Sequence, residues 1–137
     1  MSQGASAQNG VCGAAAVLVL VDDDSAVLNA LAFAFETEGY KVAPFSNAEA
    51  LLAAPEAPHG SICLVLDHKL PGLSGLALLA RLRAQDVSAP AILITTHPSV
   101  ALRKAAESAG VEIVEKPLLD GALAKKVREA VARHCTA

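Results

Sequence analysis

The stretch VLVLVDDDSA, residues 17–26, joins five consecutive apolar residues to three consecutive carboxylates. A run of Val and Leu without alternation is typical of a strand that is covered by helices on both faces, as in a parallel sheet. The charge that follows is unusual, because adjacent carboxylates repel one another and need a reason to stand at the end of a buried strand. The stretch therefore predicts a parallel α/β sheet with a negatively charged site at its edge.

Outward from this stretch, strand-like and helix-like segments alternate along the chain. In the first helix, Leu28, Leu31 and Phe35 recur at helical spacing. The same reasoning predicts strands at 17–21, 41–45, 62–67, 90–95 and 111–114, and helices at 25–38, 46–54, 76–85, 99–109 and 120–134. Pro44 lacks the backbone donor that a central strand needs, so the second strand belongs at a sheet edge. Five βα units predict one parallel sheet between two layers of helices.

Local signals predict where several of these segments begin. SNAE, residues 46–49, has the spacing of a capping box, and Asp120 is the expected N-cap of the last helix. PEAPHG at 55–60 and the segment 70–75 are expected to be loops, because Pro and Gly are concentrated there.

Composition limits the class of protein. The chain has 137 residues, of which 53% are apolar and 18% charged, with a net charge of −3. This predicts one folded domain, with residues 1–14 as a flexible arm and 15–137 as the domain. No basic stripe supports nucleic-acid binding, and no apolar run reaches the length of a membrane span. Three cysteines without metal-type spacing are typical of a reducing cytoplasm.

Polar residues that could carry chemistry follow four of the five strands. Asp22 and Asp23 follow the first strand, Asp67 ends the third, Thr95 ends the fourth, and Lys116 follows the fifth. The carboxyl ends of parallel strands lie on one edge, which is where open α/β sheets bind ligands. The sequence therefore predicts that three carboxylates, one hydroxyl and one ammonium meet at that edge.

This set of groups favours phosphoryl chemistry with a hard divalent cation. Mg²⁺ prefers oxygen ligands and is usually held by one or two carboxylates together with phosphate oxygens. Lys116 and Thr95 suit phosphoryl oxygens as a point charge and a hydroxyl donor. A carboxylate can itself be the nucleophile and form an aspartyl phosphate. Asp67 is the candidate, because it is the lone acid at the end of the central strand.

These motifs together resemble the receiver domain of bacterial two-component response regulators. The resemblance rests on VLVLVDDD for the acidic pair Asp22 and Asp23, on LVLDHKLPGLSGLALL for the phosphoacceptor Asp67, on AILITTH for the switch hydroxyl Thr95, and on EIVEKP for Lys116. Each motif is weak alone, but the four occur in order and at the family's spacing. The resemblance covers about residues 15–134, and it implies a flavodoxin-like (βα)5 fold with strand order 2-1-3-4-5.

The resemblance also implies a mechanism and partners. A histidine kinase or phosphotransfer protein would phosphorylate Asp67, and an unknown downstream protein would read the result. Mg²⁺ would be held by Asp23, Asp67 and the main-chain carbonyl of Lys69, with Asp22 acting mainly through a metal-bound water. The expected chain is a stand-alone receiver without an output domain, in the cytoplasm, whose only catalysis is its own phosphorylation and dephosphorylation.

Two positions depart from the family's pattern. Ile113 stands where most members have Tyr or Phe, and Thr96 stands where a small residue is usual. Ile113 supports the alternative of a receiver-like binding module that acts without phosphorylation. A further alternative is a phosphohydrolase of the haloacid dehalogenase type, which needs a second Asp where this chain has Lys69. His68 and His97 are interpreted as ordinary loop residues at the rim.

Overall fold

The strands of the computed structural model form one parallel sheet with the order β2-β1-β3-β4-β5. The structure describes residues 17–54, 56–116, 118 and 121–136. The strands are β1 (Val17–Val21), β2 (Lys41–Phe45), β3 (Ser61–Asp67), β4 (Ala91–Thr95) and β5 (Glu112–Glu115). The helices are α1 (Ser25–Thr37), α2 (Ala48–Leu52), α3 (Glu56–His59), α4 (Gly75–Ala84), α5 (Val100–Ser108) and α6 (Ala122–Thr136). The predicted flavodoxin-like (βα)5 fold and its strand order are confirmed.

The sheet is buried on both faces, as the uninterrupted apolar runs predict. Leu18 and Leu20 of β1 pack into the core beneath α1 and α6, whereas Val19 and Val21 pack into the core beneath α2, α4 and α5. All seven residues of β3, the central strand, are buried. Pro44 lies in β2 at the edge of the sheet, where its missing N–H costs no ladder bond.

Capping side chains determine where the helices begin. The Asp24 carboxylate accepts hydrogen bonds from the backbone N–H groups of Ala26 (3.0 Å) and Val27 (3.3 Å) and so caps α1. At α2 the cap is Asn47, whose side chain accepts from Ala50 N at 2.7 Å. The N-cap of α2 is therefore Asn47 and not Ser46, the first residue of the predicted capping box SNAE. Asp120, the expected cap of α6, and the arm at 1–14 lie outside the described residues.

Several boundaries differ from the predictions, most of them by one or two residues. Helix α3 occupies part of the predicted loop 55–60, and Pro58 is tolerated because the first turn of a helix needs no backbone donor. Ser61 then closes this turn by donating from Oγ to Pro58 O at 2.7 Å. Strand β5 is displaced by one residue, and α4 begins at Gly75 within the predicted loop. None of the helices among the described residues combines the length and apolar character that crossing a membrane would require.

Candidate functional site

The ends of four strands bring the predicted polar residues to one edge of the sheet. Asp22 and Asp23 directly follow β1, Asp67 and Thr95 are the last residues of β3 and β4, and Lys116 directly follows β5. The backbone joins the last two, because Lys116 N donates to Thr95 O at 2.8 Å. The convergence predicted from the strand order is thus present, and it depends on the parallel pairing of β1, β3, β4 and β5.

The three carboxylates form a compact group. One oxygen each of Asp22, Asp23 and Asp67 lies within 4.8 Å of the others. Asp22 and Asp67 are buried, with 1% and 4% of their surface exposed, whereas Asp23 is open to solvent. Buried acids at such separations repel unless a cation compensates them. The group therefore has the donor chemistry of a divalent-cation site with one side open for water or phosphate oxygens.

Lys116 is the cation that the structure itself provides. Its Nζ lies 3.2 Å from Asp22 Oδ2 and 3.5 Å from Asp67 Oδ1, and about a fifth of the side chain is exposed. Burial lowers the pKa of Lys116, but close contact with Asp22 and the charges of Asp67 and Asp22 raise it more, so the net direction is upward. The ammonium is therefore charged throughout the physiological range and faces two carboxylates at once.

A single ammonium does not satisfy the whole group. Burial, followed by the negative charge of Asp22, raises the pKa of Asp67 to about 6, although Lys116 and the backbone N–H of Lys69 act in the opposite direction. Asp22 Oδ2 is also buried and, within the described residues, makes no hydrogen bond of good geometry. A raised carboxyl pKa and a buried Asp22 oxygen that, within the described residues, has an ion pair with Lys116 but no well-aligned hydrogen bond both indicate that the site favours additional positive charge, and a hard cation such as Mg²⁺ fits it.

The remaining candidates lie around this group. Thr95 is 2% exposed, and its hydroxyl donates to Thr96 O over a long distance of 3.4 Å. Thr96 and His97 are exposed, and His97 has a left-handed backbone with φ of 48°. His68 is half-buried, and burial followed by the charge of Lys69 lowers its pKa. The two histidines are rim residues, as predicted.

Comparison with known proteins identifies the family. Residues 18–128 match the family described as the response regulator receiver domain. The transcriptional regulatory protein FixJ of Bradyrhizobium diazoefficiens is 35% identical over 116 residues, which are 83% of this chain and 56% of FixJ. FixJ of Rhizobium meliloti is 36% identical over 113 residues, covering 81% of this chain and 54% of that protein. The chain thus spans about half the length of these curated relatives.

Solved structures agree with this assignment. Full-length FixJ from B. japonicum superposes with a TM-score of 0.77 at 33% identity, covering 87% of this chain and 59% of that one. A CheY-like receiver domain protein from Methanospirillum hungatei superposes with a TM-score of 0.79 at 25% identity, covering 88% of this chain and 97% of that one. The chain belongs to the response regulator receiver domain family of two-component systems.

The raised pKa of Asp67 predicts a pH-dependent stability difference. Its pKa is about 6 in the fold against an ordinary value of 3.8, so the folded state binds the proton more tightly than the unfolded state. Stability contributed by the protonated carboxyl is fully present below pH 3.8 and is lost as the pH rises through 6. At pH 7.5 in EDTA, we expect the free energy of unfolding of Asp67→Asn to exceed that of the unmodified chain by about 1–2 kcal/mol.

Urea denaturation at pH 7.5 and at pH 4 measures this difference. The advantage of Asp67→Asn should shrink toward zero at the lower pH. Asp86→Asn is the control, because Asp86 is an exposed acid whose positive φ of 67° Asn also accepts. Equal effects of the two substitutions at both pH values would contradict the account of Asp67.

Proposed function

We propose that the chain accepts a phosphoryl group on Asp67 from a phosphohistidine of a histidine kinase or phosphotransfer protein. The observation that supports this most is the position of Asp67, which lies 3.5 Å from Lys116 Nζ within a group of three carboxylates. The oxygen that we propose as the nucleophile, a positive charge that would face the incoming phosphoryl group and carboxylates that could bind a metal are therefore close together. Membership of the receiver family supports the same reaction.

The transfer requires Asp67 in its ionised form. With a pKa of about 6, the carboxylate is mostly ionised at neutral pH. One of its oxygens attacks the phosphorus, a P–O bond forms, and the P–N bond to the donor breaks with its electron pair returning to the imidazole nitrogen. No proton has to leave Asp67, so the reaction needs positioning and charge neutralisation more than a general base.

The neighbouring side chains provide that neutralisation. Lys116, held between Asp22 and Asp67, would contact a phosphoryl oxygen on Asp67 after a small movement of its ammonium. The Thr95 hydroxyl could turn toward a second phosphoryl oxygen at little energetic cost, because its present hydrogen bond to Thr96 O is long at 3.4 Å. We propose that Asp23, Asp67 and the Lys69 carbonyl hold Mg²⁺, with Asp22 acting through water, so that the ion neutralises charge on the phosphoryl oxygens.

The wider assignment is also a proposal. Residues 15–137 would form the receiver domain behind an arm at 1–14, in the cytoplasm, with catalysis limited to the chain's own phosphorylation and dephosphorylation. A downstream protein would read the phosphorylated state. The hydrolase alternative lacks its general acid, since Lys69 occupies that place in this sequence. The phosphorylation-independent alternative rests on Ile113 alone.

Phosphotransfer with Mg²⁺ and a phosphorylated donor tests the proposal. One base-labile phosphoryl group should appear on Asp67 and be absent in Asp67→Asn. Lys116→Ala should slow transfer by at least about tenfold, on the order of the loss expected when one charge-stabilising donor is removed. Lys104→Ala is the control, because Lys104 lies on α5 and away from the carboxylates. Mass mapping of the label to a Ser, Thr or His would overturn the mechanism.

The readout should differ from a receiver that has an aromatic ring in place of Ile113. Ile113 pairs with Leu93 in the sheet, is half-buried, and lines an open groove of about 400 Å³ against Val100 and Arg103 of α5. A branched aliphatic side chain is stiff and cannot swing as a ring does. We therefore propose that a movement of Thr95 changes the position of α5 only slightly, because Ile113 couples the two weakly.

NMR shifts with and without beryllofluoride, a phosphoryl mimic, test this proposal. In the unmodified chain the changes should concentrate at 67–72 and 95–98. Ile113→Phe should extend them along α5, while Ile113→Leu, which changes shape without adding a ring, should not. Shifts across α5 and α6 of the unmodified chain as large as those beside Asp67 would show that the prediction is wrong.

A further inference from the structure

The first residue of α4, Gly75, packs directly against the main chain of the phosphoacceptor. A Cβ atom at Gly75 would collide with the carbonyl oxygen of Asp67 and would lie 3.0 Å from its carbonyl carbon. The same atom would lie 2.8 Å from Leu93 Cδ1. Distances under 3.0 Å are essentially absent for real Cβ atoms, so any side chain here forces a displacement.

Backbone conformation does not explain this glycine. Gly39, Gly72, Gly110 and Gly121 have positive φ, but Gly75 does not, and it lies within helix α4. A helical backbone does not require glycine, and Ala has the higher helix propensity of the two. The reason for Gly75 is therefore the close approach of α4 to Asp67.

We infer that Gly75 is a positioning residue for the nucleophile. Because Gly75 has no side chain, the start of α4 contacts the Asp67 carbonyl directly and holds the segment 67–70 in place. This inference rests on the proposed function for its consequence in phosphotransfer. The contact is with the main chain of Asp67, which carries the reacting carboxylate. It therefore acts on the site through Asp67 and needs no contact with phosphate or metal.

Hydrogen bonds hold the same segment from two sides. Gly75 N donates to His68 O at 2.9 Å, and Leu70 N donates to the same oxygen at 3.2 Å. On the other side, His68 N donates to Ile94 O of β4 at 2.9 Å. The segment 67–70, which contains the proposed metal ligand Lys69, is thus clamped between β4 and the first residue of α4.

A methyl group at position 75 must disturb the contacts that hold the segment 67–70. Leu93 could move by changing rotamer, but the Asp67 carbonyl is backbone, so the clash is relieved only if the strand end or the start of α4 moves. The hydrogen bond from Gly75 N to His68 O joins these two parts, so either movement disturbs the segment that follows Asp67. The carboxylate would then move relative to Lys116, whose ammonium now lies 3.5 Å from Asp67 and 3.2 Å from Asp22. A misplacement of about 1 Å can lower a rate on the order of 100-fold.

The test compares Gly75→Ala with Gly110→Ala in the full chain. Gly110 has a φ of 72° with nothing within 4 Å of the place that a methyl group would occupy, and it follows α5 at the edge of the sheet opposite the carboxylates. Gly110→Ala is thus strained without touching the site. It should lower the thermal midpoint but leave Mg²⁺ affinity and the phosphorylation rate with phosphoramidate within about twofold. Gly75→Ala should weaken Mg²⁺ binding severalfold and slow phosphorylation at least about tenfold.

The double variant Gly75→Ala/Leu93→Ala separates backbone from side-chain effects. Removing Leu93 Cδ1 relieves one clash but not the contact with Asp67 O, so the losses in Mg²⁺ affinity and rate should remain. Recovery of both would show that Gly75 acts through packing on Leu93, and it would overturn the inference. Normal Mg²⁺ affinity and rate in Gly75→Ala alone would overturn it as well.

Amide hydrogen exchange in the unmodified chain gives an independent measurement if Gly75→Ala does not fold. Mg²⁺ should increase protection of the Gly75 amide and leave the Gly110 amide unchanged; an unaffected Gly75 amide would contradict the inference. Failure of the proposed function is distinguishable, because the unmodified chain would then remain unphosphorylated at Asp67 while Gly75→Ala still altered Mg²⁺ affinity.

Discussion

The placement of Asp67 between one ammonium and two other carboxylates is the constraint on which the site depends. The 3.5 Å contact with Lys116 offsets part of the cost of burying the Asp67 carboxylate, but burial and the charge of Asp22 still raise the pKa of Asp67 to about 6. A carboxylate in this condition is stabilised by any further positive charge, and a phosphoryl donor with a divalent cation provides it. In the proposed function, the site thus combines a nucleophile with a preference for the cation that phosphotransfer would use.

The parallel sheet is what brings these groups together. Strands β1, β3, β4 and β5 run in one direction, so residues that are far apart in sequence end at the same edge. Burial of β3 on both faces makes that edge rigid, and the Lys116 N–Thr95 O bond ties the last two strand ends to each other. The backbones of Lys116, Asp67 and Thr95 are therefore held in place by packing, and in the proposed reaction only their polar side chains have to move.

Much of the fold and the site could be predicted because both depend on strand ends. The unbroken apolar runs indicate buried parallel strands, Pro44 indicates the edge strand, and the acids after the strands indicate the site. The differences are local. Helix α3 and the cap at Asn47 depend on single hydrogen bonds, such as the one from Ala50 N to Asn47 Oδ1. A neighbouring residue in the sequence could form such a bond equally well, so the sequence does not determine which residue does.

Gly75 shows most clearly what the sequence could not predict. It falls at the end of a predicted loop, because a glycine required by close tertiary approach looks in sequence like a glycine required by a turn. The signal that could have found it is the Ser-Gly pair directly before the apolar run of α4, in which Ser74 is the N-cap and Gly75 the first helical residue. Its contact with Asp67, however, depends on how α4 packs against the end of β3, which no local pattern records.

The most direct test of the account is the titration of the Asp67 side-chain carboxyl carbon by NMR, with and without Mg²⁺. In EDTA its midpoint should lie near pH 6, because burial and Asp22 oppose ionisation. Saturating Mg²⁺ should move that midpoint well below 6, because the cation favours the ionised carboxylate. A midpoint for Asp67 in EDTA near its ordinary value of 3.8 that Mg²⁺ leaves unchanged would contradict the claim that crowded carboxylates create the cation requirement of this site.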